Sequence, residues 1–213
     1  MRRKLNRRKF IRIVSIATVG SATLGACING KKEVNKLVIS PSENKISENK
    51  KMPRDLVMKL LDQKVNNYMQ ISYNCAQSSF AALTEQFGLE GDNILKALTP
   101  LTGIAERGET CGAVIGPLMV FGLVYGRDKN NLNDWETYRD SLVPSGKFCD
   151  LFENKYGSTM CHDIQNKKYG RSFNLTNPTE LKDFQKADAT NQCSAVVRKA
   201  VQIAANIILD EFN

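Results

Sequence analysis

Residues 107–126 read Arg-Gly-Glu-Thr-Cys-Gly-Ala-Val-Ile-Gly-Pro-Leu-Met-Val-Phe-Gly-Leu-Val-Tyr-Gly. From Cys111 onward the stretch is apolar, with Thr110 as a capping residue before it and Gly126 as a stop after it. It reads as an apolar helix over 111–125. Gly112 and Gly116 are four apart and share one face, where a neighbouring helix or a bulky group can come close. That small face has two readings: tight helix packing, or room for an inorganic cluster or a substrate. Pro117 interrupts the hydrogen-bond ladder and should kink the helix.

Helical signals continue on both sides. Pro53 suits the first turn of a helix carrying Leu56, Leu60, Leu61 and Val65 at three- and four-residue spacing. Asn74 caps a second helix with Ala76, Phe80, Leu83 and Phe87 inward and Gly88 as its stop. A short helix over 92–98 ends at Pro100, and a glycine-containing loop follows over 103–108. A polar helix spans about 132–156, with a break expected at Pro144, and a last strong helix runs over about 190–212. No hairpin signal, strand alternation or internal repeat is present. The expected fold is all-α, a bundle of about five to seven helices around one core, occupying 52–213.

The chain has 213 residues, 42% hydrophobic and 24% charged, which excludes a wholly disordered, collagen-like or polytopic membrane protein. The net charge of +8 points to nucleic acid until it is located. Residues 1–27 hold Arg2, Arg3, Lys4, Arg7, Arg8, Lys9 and Arg12 and no acidic residue. Taking those seven from 30 basic side chains leaves 23 against 22 acidic ones, so nucleic acid is dropped as a partner.

The leader instead carries an address. Its apolar stretch, 13–26, is too short for a comfortable membrane span and is interrupted by Gly20, Ser21 and Gly25. Arg7-Arg8-Lys9-Phe10-Ile11 resembles a twin-arginine export motif, and Leu24-Gly25-Ala26-Cys27 resembles a bacterial lipobox whose cysteine is lipidated. An ordinary cleaved signal with an accidental arginine pair is the plainer alternative. The expectation is an exported protein, in the periplasm or on the outer face of the cytoplasmic membrane, anchored by lipid on Cys27. The twin-arginine route resembles one for chains that fold first, often around a cofactor. Residues 28–51 are polar, without helical or strand period, and read as a flexible tether.

Six cysteines are present: Cys27, Cys75, Cys111, Cys149, Cys161 and Cys193. With Cys27 lipidated, five remain, and an odd number cannot form a complete disulfide framework. The spacings contain no CxxC pair, which disfavours zinc-ribbon, thioredoxin-like and bacterial ferredoxin patterns, and no CxxCH, so c-type haem is not expected. Cys75, Cys111, Cys161 and Cys193 each follow capping residues at expected first turns, where free N–H groups and the helix dipole favour a thiolate. Arg107 should lower the Cys111 pKa and Glu109 should oppose it. Cys149 reads as a helix-interior, idle thiol. The single histidine, His162, neighbours Cys161, but adjacent helical residues point about 100° apart, so it reads as surface or capping. With one histidine and no nucleophile elbow, a hydrolase triad is not expected, and residues 103–108 lack the lysine of a phosphate loop.

Asn74-Cys75-Ala76-Gln77, Arg107 through Gly116, Gly122-Leu123-Val124-Tyr125-Gly126, Tyr156-Gly157-Ser158 with Cys161, and the late Cys193 together resemble the C-GCAxxG-C-C family of redox-active proteins. The resemblance covers roughly residues 54–212. It implies four characteristic cysteines, which fall here on Cys75, Cys111, Cys161 and Cys193, with Cys149 an addition to the pattern. A similar domain occurs in split-Soret cytochromes c, beside haem and with an iron–sulfur centre. This chain lacks every haem-attachment motif, so the resemblance implies cluster chemistry alone.

Three functions stay open at this level. One is electron transfer through a [2Fe–2S] or [4Fe–4S] cluster on those four cysteines, with an unidentified redox partner protein. Another is metal-free thiol–disulfide chemistry, or simple disulfide stapling, among the same residues. The third is a structural zinc site with four thiolate ligands.

Overall fold

Side-chain caps and left-handed glycines set several of the element boundaries in the computed structural model, which describes residues 43–211. The leader, Cys27 and the tether as far as residue 42 lie outside the described residues. Asn74 Oδ1 accepts from the N–H groups of Ala76 and Gln77, both at 3.0 Å, and starts α3 (Cys75–Phe87). Asp134 accepts from Thr137 N–H at 2.9 Å and starts α7 (Trp135–Tyr156). Gly88 and Gly157, both with positive φ, close α3 and α7 in the left-handed conformation that glycine tolerates. Between these lie α4 (Asp92–Ala97), a 3-10 turn Thr99–Leu101, the single turn α5 (Gly103–Glu106) and α6 (Gly112–Tyr125). The others are α1 (Glu43–Lys51), α2 (Arg54–Ser72), α8 (Cys161–Tyr169), α9 (Pro178–Lys186) and α10 (Ala189–Glu211).

The fold is all-α as expected, but with ten helices among the described residues where five to seven were anticipated. Three of the additions are short and polar. α1 occupies residues read as the end of the tether. Its anchor is one fully buried Ile46 and an amide pair: Asn49 Nδ2 donates to Gln86 O at 3.1 Å, and Gln86 Nε2 donates to Asn49 Oδ1 at 2.6 Å. One apolar residue in nine leaves no visible period. α7 runs unbroken through Pro144, which is buried, and α6 continues through Pro117. The inward stripe of α2 is Val57, Leu61, Val65 and Met69, each four apart, so the expected Leu56 is exposed.

The core is built by α2, α3, α6, α7 and α10. Phe80, Leu83 and Phe87 of α3 meet Phe121 of α6 and Phe148 and Phe152 of α7, all essentially inaccessible. Each such side chain contributes roughly 1.5–3 kcal/mol by burial. A second, separate cluster joins Phe173, Phe184 and Ala189 beside Tyr169, with the three rings edge-to-face at 5.5–6.3 Å. No helix among the described residues is long and apolar enough to cross a membrane.

Candidate functional site

Cysteines from four helices line one cavity of about 410 Å³: Cys75 opens α3, Cys111 caps α6, Cys161 opens α8 and Cys193 sits in the second turn of α10. Cys149, inside α7, is not among the lining residues, and burial raises its thiol pKa, with Glu153 and Asp150 adding to the effect.

Two local devices bring the sulfurs together. The first is glycine. A Cβ on Gly112 would stand 2.5 Å from Cys75 Sγ and 2.6 Å from Ala76 N. One on Gly116 would run into Ser79 Oγ and come within 2.7 Å of Ala76 O. The two glycines therefore let α3 and α6 meet backbone to backbone, and this packing sets Cys75 against the start of α6. The second device is a backbone clip. Thr110 and Met160 form an isolated antiparallel bridge, flanked by Cys111 N–H to Thr159 O at 2.9 Å and Cys161 N–H to Glu109 O at 2.8 Å. His162 N–H extends it to Gly108 O at 2.9 Å. Cys111 and Cys161, distant in sequence, are thus held by reciprocal main-chain bonds.

His162 serves the clip. Its Nδ1 lies 2.7 Å from the Gly108 carbonyl, an acceptor only, so Nδ1 carries the proton. Nε2 faces Asp163 Oδ1 at 3.1 Å, and the residue is not among those lining the cavity.

The order of thiol acidity differs from the sequence reading. Arg107 was expected to favour a Cys111 thiolate, yet the Cys111 pKa is pushed well up, through hydrogen bonding to Cys161 and Cys75 and through burial. It is 7% exposed. Cys75 carries the lowered pKa: the Cys111 thiol donates to it, and the Gly112 N–H and its own N–H add to this against the cost of burial. At Cys193 burial dominates and pushes the pKa up to about 12, with the Cys75 and Cys161 charges adding to it and the Tyr169 hydroxyl opposing. At Cys75 the helix-start N–H contributes, but less than the Cys111 thiol. The helix-start argument fails for Cys111, which its sulfur neighbours control, and for Cys193, which lies beyond the first turn of a helix that begins at Ala189.

Thr102, Gln165 and Tyr169 are among the lining residues that the sequence reading missed. Thr102 Oγ1 is buried without a hydrogen-bond partner, and its hydroxyl favours the Cys75 thiolate. Gln165 and Tyr169 follow Cys161 at i+4 and i+8, a helical spacing that could have revealed them. Beside the sulfurs, the turn at α5 is wound left-handed: Gly103, Ile104, Ala105 and Glu106 all have φ between 47° and 63°. A β-branched isoleucine there is a strained residue, costing on the order of 1–3 kcal/mol. Gly103 within this turn faces Cys161, whose Sγ would lie 3.6 Å from a Cβ at that position.

Among the described residues, no three side chains of His, Cys, Asp or Glu are grouped closely enough to hold a single metal ion.

A family model described as "Putative redox-active protein (C_GCAxxG_C_C)" matches residues 73–207, well over half of the chain and inclusive of all four cavity cysteines. No curated protein and no solved structure matches. The chain belongs to the C_GCAxxG_C_C redox-active family.

Proposed function

We propose that this family member exchanges electrons through an iron–sulfur cluster held by Cys75, Cys111, Cys161 and Cys193, as an exported protein anchored by lipid on Cys27. The observation that carries the reading is the convergence of four thiols, from four helices, on one cavity of about 410 Å³. The donor set fits: cysteine thiolates are the usual ligands of such clusters, four of them suffice, and the orphaned Thr102 hydroxyl supplies an unused donor. When bound, such a group supplies one-electron exchange at a potential set by its surroundings. The chain's own part is to ligate through the cysteines, to offer N–H donors from the start of α6, and to exclude water with apolar walls. Export and anchoring rest on the leader motifs and on the protection that ligation gives thiols in an oxidising compartment.

The test is iron, acid-labile sulfide and visible spectrum of anaerobically purified protein. Two or four irons per chain with matching sulfide, lost in Cys111→Ser and kept in Cys149→Ser, is the expected result. Colourless, iron-free protein would overturn it.

One observation favours a second reading, metal-free thiol chemistry. Cys75 and Cys111 line the same cavity, and the neighbouring Cys111 thiol lowers the Cys75 pKa. A Cys75 thiolate would attack a partner disulfide, and Cys111 would resolve the mixed disulfide, its proton going to the departing thiolate. Iron-free protein with two thiols fewer before reduction than after would establish that reading.

A further inference from the structure

We propose that Gln165 is a positioning residue that sets the electronic environment of the Cys161 sulfur, and that the loop after α8 fixes it in that role. The proposal deepens the redox reading above and rests on it in placing Cys161 at the redox centre.

Gln165 is 3% exposed, with both ends of its amide engaged. Phe173 N–H donates to Oε1 at 2.8 Å, a buried bond. A main-chain N–H can only donate, so the atom it meets must be the carbonyl oxygen, and the NH2 is forced to the other side. There Nε2 lies 3.5 Å from Cys161 Sγ. Orientation is thus decided by the loop, and the donor to sulfur follows. Phe173 is itself held by the small aromatic cluster with Phe184 and Tyr169, and Arg171 lies over its ring at 4.6 Å. The cluster therefore supports a hydrogen bond to a cavity sulfur from a residue outside the four-cysteine set. A donor to a thiolate sulfur stabilises the more negative state, which raises a reduction potential and makes a free thiol more reactive.

The experiment compares wild type with two uncharged variants that remove both amide bonds, Gln165→Leu and the near-isosteric Gln165→Met. The readouts are iron and sulfide per chain, midpoint potential, and the alkylation rate of Cys161 in metal-free, reduced protein, with circular dichroism confirming the fold. Expected are unchanged iron, a lower potential in both variants, and Cys161 alkylation at least about threefold slower, the rate equivalent of one weak hydrogen bond lost. Unchanged potential with iron retained overturns the proposal. Iron-free wild type sinks the cluster reading alone, and the alkylation rate then decides: slower in both variants supports the role of Gln165, unchanged overturns it. The same rate decides if the variants alone lose iron.

Discussion

On one side of the sulfur cavity α3 and α6 touch through Gly112 and Gly116, main chain against main chain; on the other, residues 170–188 stand on three rings with a cluster of their own. The first side is continuous with the core built on Phe80, Phe87 and Phe121. The second is bracketed by left-handed backbone at Gly170 (φ 73°) and Asp188 (φ 53°), and its aromatic cluster is separate from the main core. Two of the four cysteines, Cys75 and Cys111, belong to the first side, whereas Cys193 packs against both clusters. One wall is part of the main core and sets Cys75 against α6; the other is a separate aromatic cluster that lines the same cavity.

The largest expected effect comes from forcing the rigid wall apart. Gly116→Ala puts a methyl against Ala76 O and Phe80 N, which cannot rotate away. It should cost about 2 kcal/mol, lowering Tm by about 4–8 °C in a thermal melt followed by circular dichroism. A neutral result would break the comparison, since α3 and α6 would then have slack. Truncating the other wall should act locally. Phe184→Ala removes one of the three rings, and if this lowers the cost of opening residues 170–188 by about 2 kcal/mol, tryptic cleavage at Lys182 or Lys186 should rise about thirtyfold with little change in Tm. A global drop in Tm would show that both walls unfold as one.

The smallest effect lies on the outer face of the rigid side, where Lys64 and the Tyr68 hydroxyl both bond to the Glu85 carboxylate. Hydrogen bonding to Glu85, with burial, raises the Tyr68 pKa to about 12, while the bonds from Lys64 and then Tyr68 lower that of Glu85. For Tyr68 the raised value means its contribution is complete below its ordinary pKa of 10.0 and is lost as pH rises towards about 12. For Glu85 the lowered value means its contribution is complete above its ordinary pKa of 4.5 and fades as pH falls through the folded value. Glu85 is exposed and Tyr68 only partly buried, so the changes are small. Tyr68→Phe should remove the alkaline part: between about pH 9 and about pH 11 its urea midpoint should fall less than that of wild type. Equal falls would count against it.

Much of the larger wall was legible in sequence. Asn74, Gly88 and Gly126 mark the ends of α3 and α6, and the i, i+4 glycines announced a close approach. The smaller wall was harder to read. Its helix α9 does carry Asn177 and Pro178 as cap and first residue, but its buried contribution is the single Phe184. α1 was hidden for the same reason, since one isoleucine and an amide pair do not make a period. At the site, the four cysteines were recognisable from the family pattern around them. The thiol order was not, because it depends on which sulfurs meet in space. No local rule relates residue 75 to residue 111 or residue 111 to residue 161.

The clip between residues 108–111 and 159–162 also has a consequence for the order in which the site comes into being. Cys75 and Cys111 leave the ribosome well before the partner strand of the clip exists, and Cys193 arrives with α10, the last helix. At about 5–20 residues per second, on the order of ten seconds separate the first of these sulfurs from the last. Throughout that interval the early thiols have no enclosing wall. A nascent chain halted before α10 would contain the glycine-packed helix pair and three of the four cysteines, and still have no closed cavity to show for them.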